Sequence, residues 1–500
     1  MMKRKTIALL LAACLLLPCL LLAGCAAGEE KQVLRVYNWE DYISDTDEDG
    51  YVDLIAKFEE ENPGVTVEYS TFGTNENMYN ELKINAAGYD LVCPSDYMIM
   101  KMIAEDMVEE FSEDFLQNSS YAKYASPYIR ELFEKNGWEK YAVAYMLGTM
   151  GYVYNPAAGK DITEDLSSWA GIWDDAYKGK STIKDSVRDS YFLGVAYVCR
   201  EELSALAKQY AAGTLGHEEY NEAVTQIMNR TDEETIDAVK DALIDLKDNL
   251  YGFEVDSGKQ DIVTGKISIN FAWSGDAITS MNEAEEPIYD EETGEVINEG
   301  VSLKYIVPDE CTNIWFDGWV MPKGANRELA EKFLDFLSRP ENAAANMNYI
   351  GYTSAVAGDE VFEQMVDWYD ESADPENRGT DENGEALLPY YLNYFFGGTG
   401  EYDDYVIYIS EESENRQLSA QYPTEEVLAR SAVMQYFDNE VNAKVNEMWE
   451  EVKGLPIPLW AYIVIACIAA GGVVIGLSYL YKGKRSESKP KKGYHAVKRG

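Results

Sequence analysis

Strands and helices alternate at the start of the mature chain, and that alternation narrows the fold more than any other feature. Residues 33–38 (VLRVYN), 65–70 (VTVEYS) and 89–93 (YDLVC) are strand runs. Between the first two, 52–61 has helical spacing and stops at Asn62-Pro63-Gly64. Between the second and third, 75–87 is helical and stops at Gly88. This order predicts the beginning of a parallel α/β sheet. In open sheets of this kind ligands bind beyond the carboxyl ends of the strands. Two loops lie there, Trp39-Glu40-Asp41-Tyr42 and Pro94-Ser95-Asp96-Tyr97.

The middle of the chain continues as mixed α/β. Residues 142–154 are a strand-rich run, and 203–212 and 234–250 are amphipathic helices. A strand at 267–273 (ISINFAW) runs into Ser274-Gly275-Asp276. Residues 303–308 and 319–322 are expected to flank a loop, and 329–337 and 427–453 to be helical.

Both ends carry membrane signals. Lys3, Arg4 and Lys5 precede an apolar stretch that ends in Leu22-Ala23-Gly24-Cys25. This is an export signal over 1–24 whose last residues resemble a bacterial lipobox, which implies cleavage before Cys25 and a thioether-linked lipid on it. Residues 455–481 contain no charge, and a bilayer helix needs about 20 apolar residues. Trp460, Tyr462, Tyr479 and Tyr481 sit near the ends of this expected transmembrane helix. The tail 482–500 is basic and therefore expected in the cytoplasm, with the body outside.

Charge and rare residues exclude other classes. The formal net charge is −47, and a nucleic-acid binder needs a basic surface. Both terminal segments are basic, so the body is more acidic still and attracts cations. Only His217 and His495 occur, too few for a His-rich metal site or a Ser-His-Asp triad. Cys93, Cys199 and Cys311 remain in the body, which is no disulfide framework.

Aromatic rings stand beside carboxylates at several strand ends: Trp39 before Asp41, Tyr97 after Asp96, Trp273 before Asp276 and Trp315 before Asp317. A ring face attracts a cation by roughly 0.5–2 kcal/mol, and a carboxylate adds a charge-assisted hydrogen bond. Together they suit amines joined by methylenes. The acidic stretch Asp45, Asp47, Asp49 and Asp53 has the spacing of a calcium loop but carries Ala56 where a bidentate acid belongs, so an acidic turn before a helix is the favoured reading.

In family order over 34–453, the body resembles the spermidine/putrescine-binding lipoproteins of bacterial ABC transporters. The resemblance rests on Tyr37-Asn38-Trp39-Glu40-Asp41-Tyr42, Thr71-Phe72-Gly73-Thr74-Asn75-Glu76-Asn77-Met78-Tyr79 and Tyr89-Asp90-Leu91-Val92-Cys93-Pro94-Ser95-Asp96-Tyr97. Ser167-Ser168-Trp169-Ala170, Trp273-Ser274-Gly275-Asp276, Trp315-Phe316-Asp317 and Ile350-Gly351-Tyr352 extend it. It implies two α/β lobes of periplasmic-binding-protein type closing on a ligand, lobe 1 from 33–148 and 317–360, lobe 2 from 149–316 and 361–453. It also implies a non-catalytic polyamine receptor without a cofactor, serving an ABC permease and its ATPase.

Carried over residue by residue, the resemblance makes Trp39, Glu40, Asp41 and Tyr42 one wall, with Asp41 facing an amine. Ser95 and Tyr97 would touch the ligand, Trp273 and Trp315 would sandwich its methylenes, and Asp317 would pair with an amine. Tyr352 would hydrogen-bond at the cleft, and Asp276 matches an acid of the putrescine-type members. Where the spermidine type has two acids three residues apart, this chain has Ser186 and Asp189. Gln435 matches a family glutamine. A sensor ectodomain or a binder of another small cationic solute is the alternative; the tail 482–500 is too short to fold as an output domain. A glycan hydrolase also uses aromatics and paired acids, but no such fold pattern is present.

Overall fold

The computed structural model describes residues 32–289, 296–298, 300–375 and 377–454. The signal 1–24, Cys25, the expected transmembrane helix 455–481 and the tail 482–500 lie outside the described residues. Among the described residues, no helix is long and apolar enough to cross a membrane.

The alternating start of the chain forms β1 (Gln32–Trp39), α1 (Leu54–Glu61), β2 (Val65–Phe72), α2 (Asn75–Asn85), β3 (Leu91–Val92) and α3 (Asp96–Ala104). β1 pairs in parallel with β2 on one edge and β3 on the other. Leu34, Val36 and Asn38 alternate inward along β1, as a strand with one buried face requires. Asp53 starts α1 by accepting from the Ala56 amide at 2.8 Å.

Next come β4 (Ala142–Tyr154), β5 (Ser181–Lys184), α4 (Val187–Val198), β6 (Gly252–Glu254), β7 (Ile269–Trp273), α5 (Ser274–Glu285), β8 (Thr312–Pro322) and α6 (Pro340–Ile350). The main path through the sheet runs β2-β1-β3-β8-β4-β7-β5-β6. β4 and β8 are antiparallel and carry the chain between two apolar cores. Leu147 and Phe316 pack in the first core, whereas Met150, Tyr152 and Cys311 pack in the second. β4 is buried along its whole length, which matches its nearly unbroken apolar run.

Three expectations are corrected. The loop expected before Trp319 is strand: β8 runs from Thr312 because it is clamped between β4 and a short strand β9 (Ser431–Ala432). Residues 427–453 are not one helix. The chain is extended around β9, and α7 (Asn439–Lys453) begins only where Asp438 accepts from the Glu440 and Val441 amides. The whole of 361–453 was expected in the second lobe. Instead Val361, Phe362, Phe395, Tyr405 and Tyr422 are buried in the first core, and the second core takes the chain from Ala429. The reason is aromatic packing: Phe362, Phe396, Tyr405 and Tyr422 form one ring cluster that gives this segment its own contact with the first core.

Candidate ligand-binding cleft

β8 delivers Asp317 to the seam between the cores. The β4–β8 register shifts between Asp317 and Gly318, and such a bulge re-aims the side chains beside it. Tyr42 Oη donates to Asp317 Oδ2 at 2.8 Å. Ser95, whose backbone bridges to that of Asp317, also bonds the carboxylate. Ser95 is held by Asn75, the first residue of α2: the Asn75 amide donates to Ser95 Oγ and to Tyr97 Oη, and accepts from Ser95 N. Burial pushes the Asp317 carboxyl up to about 6, against the opposing pull of the two hydroxyls. It is 7% exposed, and among the described residues no lysine or arginine forms an ion pair with it.

Aromatic rings flank this carboxylate. Trp315 faces Gly148 in the β4–β8 register, where a Cβ would come within 2.6 Å of its ring. Glycine is therefore required for the indole to lie against the strand. Trp273 ends β7 on the other side of β4, opposite Met150. Gly351 closes α6 in the left-handed region at φ 79° and turns the chain so that Tyr352 enters the seam. The Tyr352 ring meets Trp315 at 5.5 Å and Tyr42 at 5.7 Å, edge to face in both cases. Its hydroxyl donates to Asp276 Oδ1 at 2.8 Å.

A half-buried indole, Trp315, and the rings of Tyr42 and Tyr352 thus gather at a buried carboxylate, on a two-core α/β scaffold crossed by two strands. The family profile described as bacterial extracellular solute-binding protein matches residues 53–366. The chain belongs to this family.

Other solute-binding proteins are similar to it over most of their length. The spermidine/putrescine-binding periplasmic protein of Escherichia coli K12 is 27% identical over 329 residues, which cover 65% of this chain and 78% of that protein. The putrescine-binding periplasmic protein PotF of the same organism is 27% identical over 334 residues, 66% of this chain and 80% of that one. Two solved structures share the two-lobed fold. One is the spermidine/putrescine transporter substrate-binding protein PotD of Streptococcus pneumoniae, with TM-score 0.55 and 24% identity over 84% of this chain and 98% of that one. The other is a Listeria monocytogenes protein titled as a putative spermidine/putrescine ABC transporter, with TM-score 0.57 and 24% identity over 84% and 99% of the two chains.

The second lobe of this solute-binding protein presents acids that already have partners. Asp276 Oδ2 accepts from Lys184 Nζ at 3.0 Å, and the same ammonium stands 3.0 Å from Glu254 Oε1. Asp189, on the first turn of α4, has its carboxyl pushed up by burial, while hydrogen bonds from Ser186 and Trp273 and the nearby Lys184 charge pull it down. The Arg188 guanidinium lies 4.8 Å from the Tyr97 ring and 3.6 Å from the Phe437 ring. It therefore ties the first lobe's third-strand loop to the second lobe. Asp185 points away to the surface and pairs with Lys453 at 3.1 Å.

The structure brings Tyr42, Ser95, Tyr97, Asp189, Trp273, Asp276, Trp315, Asp317 and Tyr352 to this seam. Asp41, at φ 50°, makes the turn that swings Tyr42 inward, and both Glu40 and Asp41 are exposed. Trp39 is half-buried on Phe72 at 4.6 Å. Gln435 is exposed and reaches the seam through its backbone carbonyl, which accepts from Arg188. Among the described residues no group of three acidic, histidine or cysteine side chains is placed to hold a metal ion; Asp53 of the acidic loop serves as a helix cap. Asn75, Lys184, Arg188 and Glu254 were missed from sequence. Lys184 carried a signal: it is the last residue of a strand in which every residue is buried, and that is where open sheets place ligand contacts.

Proposed function

We propose that this protein is an extracellular receptor that captures a polyamine of the spermidine/putrescine class between its lobes and delivers it to an ABC permease and its ATPase. The observation that carries the proposal is Asp317. It is a buried carboxylate held by two hydroxyls, ringed by Trp315, Tyr352 and Tyr42, with no cation of the protein paired to it among the described residues. An alkylammonium supplies the charge for the acid and methylenes for the rings. The names of the relatives support the same ligand class. The test is calorimetric titration of the full chain in detergent with putrescine, spermidine and spermine at moderate salt. Saturable one-to-one binding is expected. Weak heat that disappears with added salt would leave only the acidic surface attracting cations.

Acid should weaken the site. The ligand's ammonium keeps its proton over this range, whereas Asp317 takes one up as the pH falls through about 6. Protons then compete with the ligand, and affinity should fall about tenfold between pH 7 and pH 5. Titrations at the two pH values check this; a flat profile removes Asp317 as the charged partner.

The anchoring belongs to the same proposal. A lipid on Cys25 and the span 455–481 would both hold the receptor at the outer face of the membrane, the span keeping it beside its permease and raising the effective concentration. Deleting 455–500 should then lower polyamine uptake by cells while leaving the affinity of the receptor unchanged. Equal uptake removes this role for the span.

A further inference from the structure

Lys184 is buried to 1% exposure at the end of β5, facing the seam. Its ammonium has the surroundings a ligand amine would seek. It sits 4.3 Å from the centroid of the Trp273 ring, donates to Asp276 Oδ2 and to the Val255 carbonyl at 3.0 Å each, and pairs with Glu254 Oε1 at 3.0 Å. A carbonyl, two carboxylates and a ring face thus satisfy one tethered ammonium. Lys259 adds a second positive charge 3.8 Å from Asp276 Oδ1, and Asp256 shares it at 2.8 Å. In the second lobe Glu254 and Asp276 are thus both matched by lysine ammoniums. Among the described residues Asp317 in the first lobe has no such partner.

We infer that Lys184 is a specificity-determining residue: its ammonium fills the second-lobe amine position, so that the cleft accepts a short diamine clamped by one ammonium at Asp317 and disfavours a longer triamine. This rests on the polyamine-receptor reading and refines it. A ligand amine that reached Asp276 would either face Lys184 as a like charge or displace it. Like charges a few ångströms apart repel strongly where water is excluded. Displacement breaks a buried ion-pair set at once and leaves buried charges uncompensated, which is strongly unfavourable. The far end of a triamine then finds Asp276 and Glu254 occupied and only Asp189, already hydrogen-bonded by Ser186 and Trp273, left in the second lobe. A four-carbon diamine leaves its other ammonium nearer the first lobe, where Glu76 hydrogen-bonds Tyr97 at the rim.

The experiment is competitive calorimetry of the full chain in detergent, with putrescine and spermidine as the two probes. The unsubstituted protein is expected to bind putrescine at least tenfold more tightly than spermidine. Lys184→Met exposes Asp276 and Glu254 to the ligand and should raise the spermidine-to-putrescine affinity ratio at least tenfold. Because that variant leaves an excess buried acid, Lys184→Met/Glu254→Gln, which removes one charge of each sign, serves as the second variant, with a cooperative melt as the criterion of folding. A ratio within threefold of the unsubstituted protein in either folded variant overturns the inference, as does a tenfold preference of the unsubstituted protein for spermidine. Failure of the unsubstituted protein to bind either amine overturns the receptor reading itself, and the inference with it.

Discussion

Replacing Asp317 with alanine should weaken polyamine binding by roughly 2–5 kcal/mol, the range seen when one member of a buried charge pair is removed. Among the described residues Asp317 forms no ion pair, so in this structure its charge is not already matched by a cation of the protein. The effect on stability should have the opposite sign. Burial raises the folded-state value to about 6, above the usual value of a carboxyl in an unfolded chain. Such a group favours the fold while protonated, and as pH rises from about 4 to 6 the unfolded chain ionises first, so stability is lost. The shift corresponds to about 3 kcal/mol at neutral pH. Asp317→Asn keeps the shape, removes the charge and should raise the melting temperature of the ligand-free protein at pH 7 while abolishing binding. Calorimetric titration and thermal unfolding of the same preparation check both halves. Unchanged affinity would falsify the role of Asp317 as the amine partner.

Gly275→Ala is the second large effect, and it acts through shape. Gly275 lies at the start of α5, and an added Cβ would stand 1.8 Å from ring atoms of Tyr352. Tyr352 packs with the first core, and α5 packs with the smaller core that contains Val153 and Tyr305 in the second lobe. The glycine therefore marks a close approach of the two lobes in the seam. A ring cannot yield that distance without rotating out of the seam. Overpacking costs about 1–3 kcal/mol, and losing the Tyr352–Asp276 hydrogen bond adds about 1.5–3 kcal/mol because its acceptor is charged. At a total of about 2.5 kcal/mol or more, binding falls by roughly seventyfold or more. Small-angle scattering should show a larger radius for the variant in the presence of putrescine than for the parent protein. Equal radii and equal affinities would mean that Tyr352 repacks elsewhere and does not hold the closed seam.

Much of the first lobe was legible because its signals are local. The alternation in 33–38 and the stop at Asn62-Pro63-Gly64 place β1 and α1 within a residue or two of where they form. Trp273 and Trp315 could be singled out for the same reason, since each stands on an apolar strand run next to an acid. The crossing strand β8 was not legible in full. Asn313 reads as a loop residue, yet it is buried, donating to the Ala432 carbonyl, and that partner lies 119 residues away. The segment around β9 failed in the same way: its residues have helical composition, but their backbone is already committed to β8.

Charge pairing shows the same division. From sequence, Asp276 and Asp317 are equivalent, each an acid two or three residues after a tryptophan at a strand end. The folded chain makes them different. Asp276 meets Lys184 from a strand 92 residues earlier, while Asp317 is held by the hydroxyls of Tyr42 and Ser95 and forms no ion pair among the described residues. The sequence by itself determined the α/β class, the aromatic and acidic chemistry at the strand ends, and the terminal segments expected at the membrane. All of these are set by periodicity and composition over a few neighbouring residues. Only the tertiary structure decided which acid has a cation of its own, that residues 361–428 pack largely with the first core, and that Tyr352 closes on Gly275. Those outcomes depend on contacts between residues far apart in the chain, and no local pattern records them.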